Sequence, residues 1–160
     1  GTALHLLLEH LPDVEPAKRE VMAAALIPDA PLRTAIWPQV LAILADDGLA
    51  HIFGPGSMAE VAVTADLGGR RLVGTIDRLV VADDHVLAVD FKSNRVVPDR
   101  AEKVPDGILA QMGAYAEALT QIYPDRRIEV AVADGDERGP RAFHCYGRRQ
   151  GRRTAGARQL

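Results

Sequence analysis

The sequence predicts an α/β (α+β) sandwich: helices, a three-strand antiparallel meander, then a helix and a last strand. Apolar residues recur at helical spacing near the start and again near position 110, and between those segments the period changes to that of strands. Two tight-turn signals, Gly68-Gly69 and Asp83-Asp84, divide the strand region into adjacent members of one sheet.

Leu4, Leu7, Leu8 and Leu11 in TALHLLLEHL (2–11) form one apolar stripe of a first helix. A second helix begins at Pro16 in PAKREVMAAALI, where the missing N–H of proline costs nothing. A third is expected from about Pro38 through PQVLAILAD, ending near Gly48, with Trp37 packing at its entry. From Ala59 the strands AEVAVTADL, RLVGTIDRLVVA and HVLAVDFKS follow. The middle one carries Leu72, Ile76 and Val80 on one side and Val73, Leu79 and Val81 on the other, so it is predicted to be central. PDGILAQMGAYAEALTQIY from Pro105 is the clearest helix, stopped by Pro124, and RIEVAVA is the last strand.

A length of 160 residues with 48% apolar content suits one core. No apolar run approaches the roughly 18 residues of a membrane span, and the reading is a soluble fragment with no membrane partner. The single cysteine, Cys145, excludes a four-cysteine iron-sulfur cluster, a cysteine-rich zinc site and an internal disulfide framework. No G-x-x-x-x-G-K-[ST] occurs, so no P-loop ATP site is expected. All 22 acidic residues precede position 138 and seven of the 19 basic ones follow 137, which leaves a formal −10 before the break and +7 after it. A nucleic-acid binder usually shows a basic body, so phosphate attraction would have to come from elsewhere.

Two-residue turns fix which residues lie opposite each other. A turn at 83–84 places Asp77 opposite Asp90, and a turn at 68–69 places Asp77 opposite Glu60. Glu60, Asp77 and Asp90 are therefore expected in one row on one face, where like charges repel unless a cation relieves them. Lys92 leans out two residues beyond Asp90, and Phe91 points the other way, leaving its carbonyl as a further candidate ligand. An oxygen-rich site of this kind suits Mg²⁺, with Mn²⁺ as a substitute, and an adjacent lysine can orient or deprotonate a water. Metal-assisted phosphodiester hydrolysis is the chemistry such a set could perform.

These residues resemble the PD-(D/E)XK nuclease superfamily. GTIDRL, whose Asp77 is followed after 12 intervening residues by Asp90 of VDFKS, is similar to its acidic residue and D-x-K tripeptide. More narrowly the chain resembles the C-terminal nuclease domain of AddA/RecB-type helicase-nucleases, AddA more than RecB. GTALHLLLE is similar to a G-x-x-x-H-x-x-L-E segment with a metal-binding histidine, AEVAV to a glutamate-bearing first strand, and QMGAY to a Q-x-x-x-Y motif.

The resemblance implies a restriction-endonuclease-like core and a divalent ion bound by His5, Asp77, Asp90 and the Phe91 carbonyl. It makes Lys92 the residue that positions water, Glu60 a second-shell or second-metal residue, and Gln111 and Tyr115 either DNA contacts or braces. It also implies a deoxyribonuclease of the bacterial cytoplasm, acting on a DNA strand fed by a motor elsewhere in the chain or in a partner protein, and serving double-strand-break repair. An inactive nuclease-like module that binds DNA or a partner, and a different nuclease of the superfamily, stay open as alternatives.

The domain is expected to occupy residues 1–137. Residues 138–160 hold seven arginines and no acidic residue. They read as a basic arm on DNA, a disordered end, or sequence foreign to the fold.

Overall fold

The computed structural model describes residues 2–92, 105–136, 139–149 and 152–154, with side chains up to position 133. Helices α1 (Thr2–His10), α2 (Arg19–Leu26) and α3 (Ala30–Ala45) come first. Strands β1 (Ser57–Asp66), β2 (Arg71–Val81) and β3 (His85–Phe91) follow, then α4 (Asp106–Ile122), β4 (Arg127–Asp136), β5 (Gly139–Arg149) and β6 (Arg152–Thr154). The described strands form one mixed sheet in the order β1-β2-β3-β4-β5-β6, antiparallel except for the parallel pair β3/β4. A parallel pair needs a long crossover, and α4 lies within the segment that joins β3 to β4.

Helices cover both faces, as the predicted sandwich requires. Leu4, Leu7, Leu8 and Leu11 pack with Val40, Ile43, Val80, Leu87, Val89 and Phe91 on one side. Met112, Tyr115, Ala116 and Leu119 of α4 pack with Val63, Ile76, Leu79, Val86 and Ala88 on the other. Strand β3 is buried on both faces from Val86 to Phe91, which explains its nearly continuous apolar run.

Two expectations are corrected. Strand β2 is second from the edge of the described sheet, and β3 and β4 occupy its middle; the first half of β2 alternates between exposed and half-buried positions. Helix α3 begins eight residues before Pro38 and carries that proline inside it. The true start signal is Asp29, whose side chain accepts from Leu32 N at 3.0 Å, with proline in the first turn. Beyond β4 the backbone of Gly139–Arg149 continues the sheet, although the arginine-rich composition of 138–160 carries no strand pattern. Residues 137–138, 150–151 and 155–160 lie outside the described residues.

Both tight turns form. Gly68 and Gly69 have φ of 64° and 84°, the left-handed values of a two-residue hairpin turn, and Leu67 N donates to Arg70 O at 2.8 Å. Ala82 N donates to His85 O at 2.9 Å across the second turn. The resulting registers pair Ala59 with Arg78 and Val61 with Ile76 on β1/β2, and Arg78 with Val89 on β2/β3.

Between those pairs the sheet does something the turns do not announce. Glu60 and Asp77 face each other in register but drop out of the ladder together, and Glu60 takes the left-handed φ of 50°. One skipped residue on each strand leaves the register intact and reverses the faces. Ile76 packs on the α4 side, whereas Arg78, only two positions later, reaches α1 on the opposite side. The pairing of β2 with β3 starts only at Arg78. Ahead of that point β1 and β2 follow α4, tied to it by Tyr115 OH donating to Thr75 O (2.8 Å) and by Gln121 Nε2 donating to Asp66 O (3.0 Å).

Candidate active site

The place where β2 leaves β3 creates an unmet backbone donor at Phe91, and an unmet buried N–H is costly. Asp77 answers it: its Oδ2 accepts from Phe91 N at 2.7 Å. The carbonyl of Phe91 is also used, since His5 Nε2 on α1 contacts Phe91 O at 2.7 Å. A carbonyl only accepts, so Nε2 carries the proton in this arrangement. His5 Nε2 also lies 3.6 Å from Asp77 Oδ2. With Glu60 from the kinked part of β1, three potential ligand atoms of His5, Glu60 and Asp77 all fall within 4.8 Å of one another.

Asp90 and Lys92 occupy the α4 side. Asp90 is 4% exposed. Its Oδ2 is 2.6 Å from Lys92 Nζ, and its Oδ1 accepts from Gln111 Nε2 at 3.3 Å. Lys92 Nζ donates to Gln111 Oε1 at 3.4 Å, and Gln111 Nε2 donates to Tyr115 OH at 3.1 Å. Gln111 and Tyr115 are one turn apart on one helix face. Tyr115 is buried at 4% exposure with its hydroxyl spent on Thr75 O, so it braces the site from below.

The expected single row of carboxylates is therefore divided. Glu60 and Asp77 meet His5, while Asp90 meets Lys92. The two groups still feel one another: burial pushes the Asp77 carboxyl up to about 6, and repulsion from Asp90 and Glu60 adds to the rise. The Phe91 N–H and His5 pull in the opposite direction.

A family model described as the PD-(D/E)XK nuclease superfamily matches residues 1–144. The chain belongs to that superfamily. An ATP-dependent helicase/nuclease protein of Oenococcus oeni is 32% identical over 62 residues, which is 39% of this chain and 5% of that protein. The crystal structure of SSO0001 superimposes over 89% of this chain and 64% of its own at 13% identity, with a TM-score of 0.40. This chain thus spans a small part of its curated relative and less than two thirds of the solved chain.

Nucleases of the PD-(D/E)XK superfamily commonly use divalent metals, and the donor set here fits one. Two carboxylates, an imidazole and a nearby carbonyl form a hard, mostly oxygen site, and a cation there would offset the burial and the neighbouring carboxylates that disfavour the charged form of Asp77. To ligate through Nε2, His5 would adopt the tautomer with its proton on Nδ1 and give up the bond to Phe91 O. Residues that sequence reasoning did not single out also border the site. Gln39 Nε2 of α3 donates to Lys92 O at 3.3 Å. Gly74 lies under Tyr115, where an added Cβ would come 3.0 Å from the hydroxyl oxygen and 3.1 Å from a ring carbon. The signal available for Gly74 was a glycine inside a strand, which often marks close approach of another group.

Proposed function

We propose that this chain is a metal-dependent DNA nuclease domain, acting in an ATP-dependent helicase-nuclease that processes double-strand breaks during recombinational repair. The observation that carries the reading is the approach of His5, Glu60 and Asp77 within 4.8 Å beside the Asp90–Lys92 pair. His5, Asp77 and the Phe91 carbonyl would hold Mg²⁺ or Mn²⁺, with Glu60 completing the set and Asp90 reached from the other side. The ion would supply Lewis-acid stabilisation of a phosphate oxygen and a more acidic water.

The protein's own groups do the rest. Lys92, held by Asp90 and Gln111, would orient the attacking water toward phosphorus and offset charge as it builds on the phosphate. Gln111 holds the amine from the helix side, and Tyr115 fixes Gln111. The acidic body fits a domain that receives its DNA strand from a larger, positively charged assembly, and the likeness to a bacterial helicase/nuclease supports that context. The proposed nuclease unit covers residues 1–137, followed by the arginine-rich tail 138–160, of which the backbone of Gly139–Arg149 pairs with β4, and the bacterial cytoplasm is the proposed location. No described helix is long and apolar enough to cross a membrane.

The test is cleavage of linear DNA with Mg²⁺. Asp90→Ala and Lys92→Ala should each lower the rate by about 10²–10⁴-fold, with circular dichroism unchanged. Full cleavage by both variants would reject this reading, and a wild-type chain that neither cleaves DNA nor binds Mn²⁺ at millimolar concentration would be an inactive binding module instead.

A further inference from the structure

Arg78 and Asp90 are the buried charged side chains of the described residues, each 4% exposed. Asp90 has Lys92 beside it. The guanidinium of Arg78 has entered the opposite layer, where its acceptors are uncharged. Its Nη2 donates to Leu8 O at 2.6 Å and, more weakly, to Glu9 O at 3.4 Å, and its Nη1 donates to Ser57 Oγ at 3.5 Å. Its Cζ lies 5.2 Å from the centroid of Phe53, and Phe53 stacks on Phe91 at 6.1 Å with the rings 3° from parallel. Glu9, Asp13 and Glu60 attract it from farther away.

Leu8 and Glu9 stand in the last turn of α1, where carbonyls lack intrahelical donors and a positive charge is favoured. Burying an arginine only to cap a short helix is costly, and an apolar side chain would pack such a position more cheaply. What an apolar residue could not do is join two elements by directed bonds. Arg78 follows Asp77 in the chain, and Leu8 and Glu9 lie one turn from His5 on α1. The contacts close a ring: Asp77 to Phe91 N, Phe91 O to His5, His5 through α1 to Leu8 O, and Leu8 O to Arg78, the neighbour of Asp77.

We infer that Arg78 is a positioning residue that sets the His5 imidazole against Asp77, by capping α1 from the strand and by bracing Phe91 through Phe53. The inference rests on the proposed metal reading of His5 and Asp77. It requires arginine in particular, because lysine can neither reach the α1 carbonyls and Ser57 Oγ with two separate nitrogens nor lay a plane on an aromatic ring.

Mn²⁺ binding to the full chain, followed by titration calorimetry, tests it with Arg78→Lys, His5→Ala and the double variant. Arg78→Lys should melt cooperatively yet bind Mn²⁺ about tenfold more weakly, the scale of losing an orienting partner. The double variant should bind no more weakly than His5→Ala, because the arginine acts through the histidine. In the metal-free protein the ¹⁵N resonance of His5 Nε2 should move in Arg78→Lys as its bond to Phe91 O loosens. Wild-type affinity in Arg78→Lys, or independent losses that multiply in the double variant, overturns the inference. If Arg78→Lys does not fold, Phe53→Leu replaces it: weakened Mn²⁺ binding supports the brace and unchanged binding overturns it. Absence of Mn²⁺ uptake by the wild type defeats the metal reading itself, a result distinct from either.

Discussion

The two halves of the site solve the problem of buried charge in opposite ways. On the α1 side, Asp77 and Glu60 share a small volume with an imidazole, and backbone atoms of Phe91 anchor Asp77 and that imidazole. On the α4 side, Asp90 is already matched by an amine at 2.6 Å and by a glutamine that is itself held by a tyrosine. Under the proposed reading the first half, with two carboxylates beside one imidazole, is the part that would take up a cation. In the second the amine and the carboxylate already offset each other. The proposed reading makes binding and chemistry separable by mutation.

The largest effects should fall along that division. Asp77→Asn preserves the shape and an acceptor for Phe91 N but removes charge, and calorimetry should show Mn²⁺ affinity falling by more than the roughly 10–100-fold of an outer-shell change. Lys92→Ala should retain Mn²⁺ binding while losing cleavage. Equal loss of binding in both variants would break the contrast. Gly74→Ala probes the α4 half from beneath: the new methyl meets Tyr115, and overpacking of this kind costs about 1–3 kcal/mol. Denaturant unfolding should show that loss, cleavage should fall with it as Gln111 and Lys92 shift, and metal affinity should hold.

A smaller effect concerns pH and the metal-free protein. The Asp77 carboxyl titrates near 6 when folded, against a usual value of 3.8. Between those values the folded state holds the extra proton, so stability falls as pH rises through this window, and the full penalty is present above it. Allowing for its partial contact with water, the penalty is on the order of 1–2 kcal/mol. Thermal melts from pH 4 to 7 should show the decline in the wild type and lose this component in Asp77→Asn, and saturating Mn²⁺ should offset it. The smallest effect is Tyr115→Phe, which removes the hydrogen bond to Thr75 O and should cost about 1 kcal/mol in a denaturant series.

Much of this architecture was legible in the chain. Gly68-Gly69 and Asp83-Asp84 are turn residues with a fixed geometry, and they specified which residues oppose which across three strands. The leucine stripe of α1 and the apolar face of α4 appeared as helical periodicity. Which face Asp77 occupies was hidden, because a residue skipped on both strands cancels in the register and betrays itself only in the positive φ of Glu60. The start of α3 was masked by Pro38, a helix breaker that this helix tolerates. The position of β2 in the sheet was misread because Val73, counted toward a second buried side, is exposed, and only the second half of the strand is covered on both faces, with Leu79 on the α4 side and Val80 on the other. Arg78 offered a signal that periodicity could not weigh: a cation in a strand between two apolar layers.

Residue 91 touches Asp77 and His5 through its peptide atoms, while its buried ring is stacked on Phe53. A systematic alanine scan would report there the large packing loss of a core ring and would be blind to the N–H and carbonyl, which alanine keeps. Proline is the natural substitution that would expose this, since it alone deletes the amide hydrogen that Asp77 holds.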